Sequence, residues 1–197
     1  MAVLSRRDDP DARGRGESEL IDAAISLMEE GESYASMTVA SITSRAGHTR
    51  TAFYFYFRDK RDLLMAATDR LVGGLFTDAD HWWSGGGGRQ VLATALQTIL
   101  QDYRKSRALI RALVEATSYD RVVADYWHGE IERFILATEA RLPETYTPPT
   151  RRGVASALVW MIERTYYLRI LDDDTAGDAV AVESLLEIWT RALELRP

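Results

Sequence analysis

Apolar side chains recur at helical spacing along almost the whole of this chain, and that spacing excludes most folds. In "ESELIDAAISLMEEGE" the residues Leu20, Ala24, Leu27 and Met28 stand at i, i+4, i+7 and i+8, one face of a helix. Gly31 follows, where a left-handed residue ends such a run. "MTVASITSRAG" repeats the arrangement: Thr38 is a good N-cap, Val39, Ile42 and Ala46 share a face, and Gly47 stops it. Thr49 can cap a short third helix from Arg50. Asp59 can cap a fourth, with Asp62 three residues on as in a capping-box variant, running to about Phe76. A glycine-rich loop is expected at "WWSGGGGRQ", then helices at 89–105, 107–118, 121–142, 149–171 and 179–195, with Pro143, Pro148 and Pro149 marking a break. The pattern predicts an all-α chain of about nine helices.

One segment challenges that reading. "TRTAFYFYFRDK" alternates Phe53, Tyr54, Phe55, Tyr56 and Phe57, as a half-buried strand would. A lone strand in a helical chain would leave its backbone groups unpaired. As a helix, the same residues sort by face. Phe53 and Phe57 lie at i and i+4 with Tyr56 beside them, Arg50 and Tyr54 share another face, and Thr51 and Phe55 lie between. Helix is the prediction.

Composition narrows the function. With 46% hydrophobic residues in 197, a sizeable core can form. There is no cysteine, so disulfides and thiolate metal sites are excluded, which fits a reducing compartment. No apolar run approaches the roughly 18 residues of a membrane span. The start, "MAVLSRRDDPDARGRGE", has no apolar signal region and reads as a mobile arm over 1–16. A cytoplasmic protein that meets no membrane is expected. The net charge of −6 argues against nucleic acid, but its distribution does not. Residues 33–61 carry five basic side chains against Asp59 alone, while residues 62–197 carry 15 basic and 20 acidic ones. A basic segment on an acidic body is either a nucleic-acid face or a solvated basic surface. His48, His81 and His128 are far apart without metal-ligand spacing, no nucleophile motif occurs, and the glycines precede no Gly-Lys-Ser/Thr. No catalytic site, metal or cofactor is expected, and the chain is not read as an enzyme.

Two short helices joined by a turn at Gly47, with a first helix as platform, have the layout of a helix-turn-helix. The second begins Thr49-Arg50-Thr51. Arginine can bond the O6 and N7 of guanine, and threonine a thymine methyl or a phosphate. Tyr54 lies one turn on, and Tyr56 and Lys60 stand where a DNA backbone would pass. The run "MTVASITSRAGHTRTAFYFYFRDKRDLL" resembles the DNA-binding signature of TetR-family transcriptional regulators, in its Thr-Val helix start, Ala-Gly turn, Phe-Tyr-x-Tyr-Phe core and following Lys. The likeness covers about 18–66 and implies DNA contacts at Thr38, Thr49, Arg50, Thr51, Tyr54, Tyr56 and Lys60 in a palindromic double-stranded operator. Ala52 departs from the Thr or Ser of many members. His48 replaces an aliphatic residue, either as a packed turn residue or as a base or phosphate contact. "MIERTYYLRIL" and "LLEIWTRAL" further resemble the ethionamide-resistance repressor subgroup, whose members bind apolar small molecules in a channel lined by C-terminal helices.

The domains are then an arm (1–16), a DNA-binding domain (17–61) and a ligand-binding and dimerisation domain (62–197). Trp127, Ile131, Phe134 and Thr138 form one stripe at helical spacing. Such a stripe is either plain core or a pocket wall. The resemblance favours a pocket, with Val159, Ile162, Glu163, Tyr166 and Tyr167 from 149–171, Leu92, Ile99 and Tyr103 from 89–105, and Trp189 closing one end. Thr138, Glu163 and the tyrosine hydroxyls are its polar groups. Glu163 and Arg164 are adjacent and should not face each other, so their partners lie on other elements or in water. Helix 149–171 is apolar nearly all round, so with 179–195 it could form a homodimer interface, Gly153 and Ala157 allowing close approach. Gly73-Gly74 is either a hinge or a close-packing site. The expectation is a dimeric repressor with an apolar small-molecule effector. The rivals are a carrier or enzyme with an idle helix-turn-helix, and a regulator controlled by a protein partner.

Overall fold

The structure is a computed structural model that describes residues 10–84 and 88–195, with side chains over 14–77 and 88–195. Among the described residues every regular element is a helix: α1 (Pro10–Glu29), α2 (Val39–Ala46), α3 (Arg50–Tyr56), α4 (Lys60–Ser84), α5 (Arg89–Lys105), α6 (Arg107–Thr117), α7 (Arg121–Glu139), α8 (Pro148–Leu171) and α9 (Asp178–Ala192). The aromatic run is helical, as its face pattern required. Phe53 and Phe57 are buried, and Tyr54 and Phe55 are exposed.

Local chemistry fixes the short helices. Thr38 Oγ1 accepts the Ser41 N–H at 3.0 Å, and Ser41 Oγ accepts the Thr38 N–H at 3.1 Å, a reciprocal capping box. Gly47 takes φ 68°, a left-handed conformation that costs glycine nothing. The His48 N–H then reaches the Thr43 carbonyl at 2.9 Å and closes the end of α2. Thr49 Oγ1 caps α3 on the Ala52 N–H at 3.1 Å. Asp59 Oδ1 accepts the Asp62 N–H at 2.9 Å, and Asp62 accepts the Arg58 N–H, which starts α4.

Several boundaries differ from expectation. Helix α1 begins at Pro10, so residues 10–16 of the expected arm are helical, while 1–9 lie outside the described residues. Gly16 explains why this turn can dock: a Cβ there would stand 2.4 Å from Tyr56 Oη. Helix α4 continues past Phe76 to Ser84 and takes up the start of the expected glycine loop, of which 85–87 lie outside the described residues. A Cβ at Gly73 or Gly74 would meet nothing within 4 Å, so close packing does not account for these glycines.

Helix α4 packs on α1, α5, α6 and α7, and joins the N-terminal helices to the rest. It is not the sole bridge, because α1 also packs on α6. In the C-terminal part α7 lies along α8, and α5 lies against α8 and α9. One continuous apolar core runs through both parts.

Candidate nucleic-acid interface and apolar cavity

Five basic side chains lie between 45 and 61, and four of them are tied down. Arg45 pairs with Glu30, just past the end of α1, at 2.5 Å and also bonds Ser26 of α1, which lashes α2 to α1. Arg58 pairs with Asp62 at 3.1 Å. Arg61 pairs with Asp120, the N-cap of α7, at 2.8 Å. Lys60 differs most from expectation. Its Nζ donates to the carbonyls of Tyr34, Ala35 and Met37 at 2.9, 3.0 and 3.0 Å, and lies 4.8 Å from the Tyr34 ring centre. Those bonds use all three N–H donors of an ammonium, so none remains for a phosphate. Burial pushes this ammonium below the ordinary lysine value, with a smaller upward pull from Glu32.

Arg50 is the exception. It stands exposed in the first turn of α3 and makes no ion pair or hydrogen bond among the described residues. Thr49, Thr51 and Tyr54 are exposed beside it. As a cap, Thr49 spends one lone pair and keeps its O–H donor. Thr38 is exposed at the start of α2. Tyr56 is half-buried, its hydroxyl end against α1 at Gly16. His48 is a tied turn residue: its Nε2 lies 2.7 Å from Glu19 Oε2.

The second feature is a cavity inside the C-terminal helices. It has a volume of ≈ 80 Å³, and Trp127 and Trp189 both line it. Eleven residues expected at a pocket line it: Leu92, Ile99, Tyr103, Trp127, Ile131, Phe134, Thr138, Val159, Ile162, Glu163 and Trp189. Val72 and Leu75 of α4 and Ala95 and Leu96 of α5 complete the wall and were not anticipated. Two expected residues are elsewhere. Tyr166 is fully buried and donates its hydroxyl to the Leu96 carbonyl at 2.9 Å, so it braces α8 on α5 behind the wall. The Tyr167 ring lies under the Arg164 guanidinium, 5.2 Å from its carbon.

Glu163 lines the wall as expected, but among the described residues no cation of another element meets it. It is not a solvated partner of Arg164: it is 3% exposed, while Arg164 lies mostly in solvent. The adjacent Arg164 Nε is nonetheless its nearest cation, at 3.6 Å. Burial pushes the Glu163 carboxyl above the ordinary range, and Arg164 pulls it partly back.

Three ties connect this cavity to α4. Asp120 at the head of α7 holds Arg61, Tyr126 donates to Asp69 at 2.7 Å, and Phe76 meets Phe134 edge-on with ring centres 5.3 Å apart. Among the described residues no group of three or more His, Cys, Asp or Glu could hold a metal ion, and no helix is long and apolar enough to cross a membrane.

Comparison with known proteins matches both parts. Residues 20–67 fit the family of bacterial regulatory proteins of the tetR type, and residues 92–193 fit the C-terminal domain of the transcriptional regulator EthR. The HTH-type transcriptional regulator EthR of Mycolicibacterium smegmatis is 23% identical over 190 residues, 90% of this chain and 85% of its own length. That of Mycobacterium tuberculosis is 24% identical over 193 residues, 88% and 85% of the two chains. Among solved structures, a TetR-like transcriptional regulator from Rhodococcus sp. RHA1 superposes with a TM-score of 0.70 at 22% identity, covering 96% of this chain and all of that one. The regulator FadR of Bacillus subtilis, in complex with stearoyl-CoA, superposes at 0.73 with 17% identity, covering 87% and 96%.

Proposed function

This chain belongs to the TetR family of bacterial transcriptional regulators, with a C-terminal domain of the EthR type, and from that premise we propose that it is a dimeric repressor of a palindromic operator, released by an apolar small molecule. Arg50 carries the reading. It is the one cation between 45 and 61 without a partner among the described residues, and it stands in the first turn of the second helix of the helix-turn-helix, where base edges are read. Thr49, Thr51 and Tyr54 flank it as base or phosphate contacts, and Thr38 and Tyr56 as outer phosphate contacts. Such a protein works in the cytoplasm, where the DNA is.

The effector site is the cavity between Trp127 and Trp189. The dimer forms through α8 and α9. Along α8 the outward residues Gly153, Ala157, Met161, Arg164, Leu168 and Leu171 repeat at spacings of three and four, the seam of a helix pair. Leu168, Leu171, Val180 and Ile188 are large apolar residues left exposed on these two helices. Effector binding displaces α7 against α4 through the Asp120, Tyr126 and Phe134 ties and moves the recognition helices out of register, with Gly73-Gly74 as the flexible point. A carrier with an idle helix-turn-helix would have no use for an unpaired Arg50 at this position.

Selection of DNA from a random pool tests the reading. It should enrich inverted repeats with half-sites about 34–36 Å apart, or a multiple of that. Binding should weaken steeply with salt as counterions are released. Enrichment of no palindrome would overturn it.

A further inference from the structure

The cavity wall is apolar except at a few points, and two of those are out of balance. Thr138 is 0% exposed, Glu163 is 3% exposed, and neither Thr138 Oγ1 nor Glu163 Oε2 has a hydrogen-bond partner among the described residues. Both line the same cavity, Thr138 from α7 and Glu163 from α8. Buried polar groups in folded proteins are nearly always paired, and an unpaired carboxylate is among the costliest exceptions.

Thr43, Thr68, Thr77 and Thr94 each stand within a helix and donate to the carbonyl four residues back, at 2.9, 2.8, 2.9 and 3.1 Å. Thr138 has no such bond to the Phe134 carbonyl. Thr98, Thr165 and Thr190 lack it too, but they are not fully buried, whereas Thr138 is, and its hydroxyl is left to the cavity it lines. The carboxylate has only Arg164 near it, at 3.6 Å, and that guanidinium turns outward to the far side of α8, over the Tyr167 ring. Neither residue fits a plain apolar core.

We infer that the effector is an elongated apolar molecule carrying one basic nitrogen, whose N–H donors are shared by the Glu163 carboxylate and the Thr138 hydroxyl. The inference rests on reading the cavity as the effector site. An ionised carboxylate only accepts hydrogen bonds, so it selects donors and repels anions. A cationic nitrogen also balances its charge, which a neutral hydroxyl does not. The burial that raises the carboxyl's pKa makes that balance worth more, because attraction between opposite charges is stronger away from water.

Three probes of one length separate the possibilities: n-octylamine, 1-octanol and octanoate, titrated into the full chain at pH 7. Quenching of tryptophan emission, to which Trp127 and Trp189 in the wall contribute, and thermal shift report binding. Octylamine should bind at least about tenfold more tightly than octanol, as a charge-assisted bond predicts, and octanoate most weakly. In Glu163→Gln the preference of amine over alcohol should fall to about one, and in Thr138→Val it should fall several-fold. Circular dichroism melts check both folds, and Thr138→Val decides if Glu163→Gln does not fold. Equal binding of amine and alcohol by the natural chain, or an amine preference that survives both substitutions, would overturn the cationic effector and leave the effector cavity standing. Binding of none of the three probes would overturn both.

Discussion

The helix-turn-helix and the C-terminal cavity treat polar groups in opposite ways. Around α2 and α3, caps and hydrogen bonds take up Thr38, Ser41, Thr43 and Thr49, and four of the five cations between 45 and 61 hold the unit together. In the cavity the wall is built from apolar side chains, and Glu163 and Thr138 go unsatisfied. In each region the residues that carry the recognition reading, Arg50 in one and Glu163 with Thr138 in the other, are those the fold leaves without a full set of partners. Abundance of a residue type is therefore a poor guide to function. The basic segment looks like a DNA face by charge, yet most of its charge is spent on structure.

The largest effect that could break this contrast is at Lys60. Loss of three charge-assisted bonds to carbonyls in Lys60→Ala should cost about 2–3 kcal/mol of stability, measured by urea unfolding. The salt dependence of DNA binding should stay as it was. An unchanged stability with a salt slope reduced by about one would return Lys60 to the phosphates. Arg50 should behave in the opposite manner. Arg50→Ala should cost about 1–3 kcal/mol of DNA affinity at one base position and leave the melting temperature alone, by competition binding on operator variants. A uniform loss on all sequences would make Arg50 a phosphate contact.

Gly73→Ala should raise stability by about 1 kcal/mol, since its Cβ meets nothing and alanine is the better helix former. The same change should lower the coupling between effector and DNA, read as the ratio of effector affinities with and without operator. Unchanged coupling in the stabilised variant would remove the hinge.

The smallest effect is the pH response of Glu163. Because burial raises its carboxyl above the ordinary value of 4.5, the folded chain holds the proton more firmly than the unfolded chain. Glu163 then adds stability only at acid pH, and that contribution is lost as pH rises through its folded pKa. Glu163→Gln should melt above the natural chain at neutral pH, and the gap should close as pH falls below 4.5. A gap independent of pH would mean that the carboxylate is not strained.

Much of this was legible in the sequence where the physics is local. Thr38, Gly47 and Thr49 declare the ends of α2 and α3, because capping joins residues three to five apart. The stripe of Trp127, Ile131, Phe134 and Thr138 points to one wall of the cavity for the same reason. What stayed hidden depends on distant partners. Lys60 meets carbonyls 23 to 26 residues earlier, and Tyr166 meets one 70 residues earlier. No spacing rule announces such contacts. Val72, Leu75, Ala95 and Leu96 escaped because aliphatic residues on an amphipathic face look the same whether they border a cavity or fill a core. That Glu163 meets no cation from another element could not be read either, since it depends on how α5, α7 and α8 pack.

Occupation of the cavity should change how tightly α3 holds DNA. The direct measurement is anisotropy titration of a selected palindromic duplex, with and without n-octylamine at a concentration that saturates the tryptophan response. A coupling of about 1–3 kcal/mol predicts that operator affinity falls roughly 5- to 150-fold when the cavity is occupied. The same operator affinity with the cavity full and empty would contradict it.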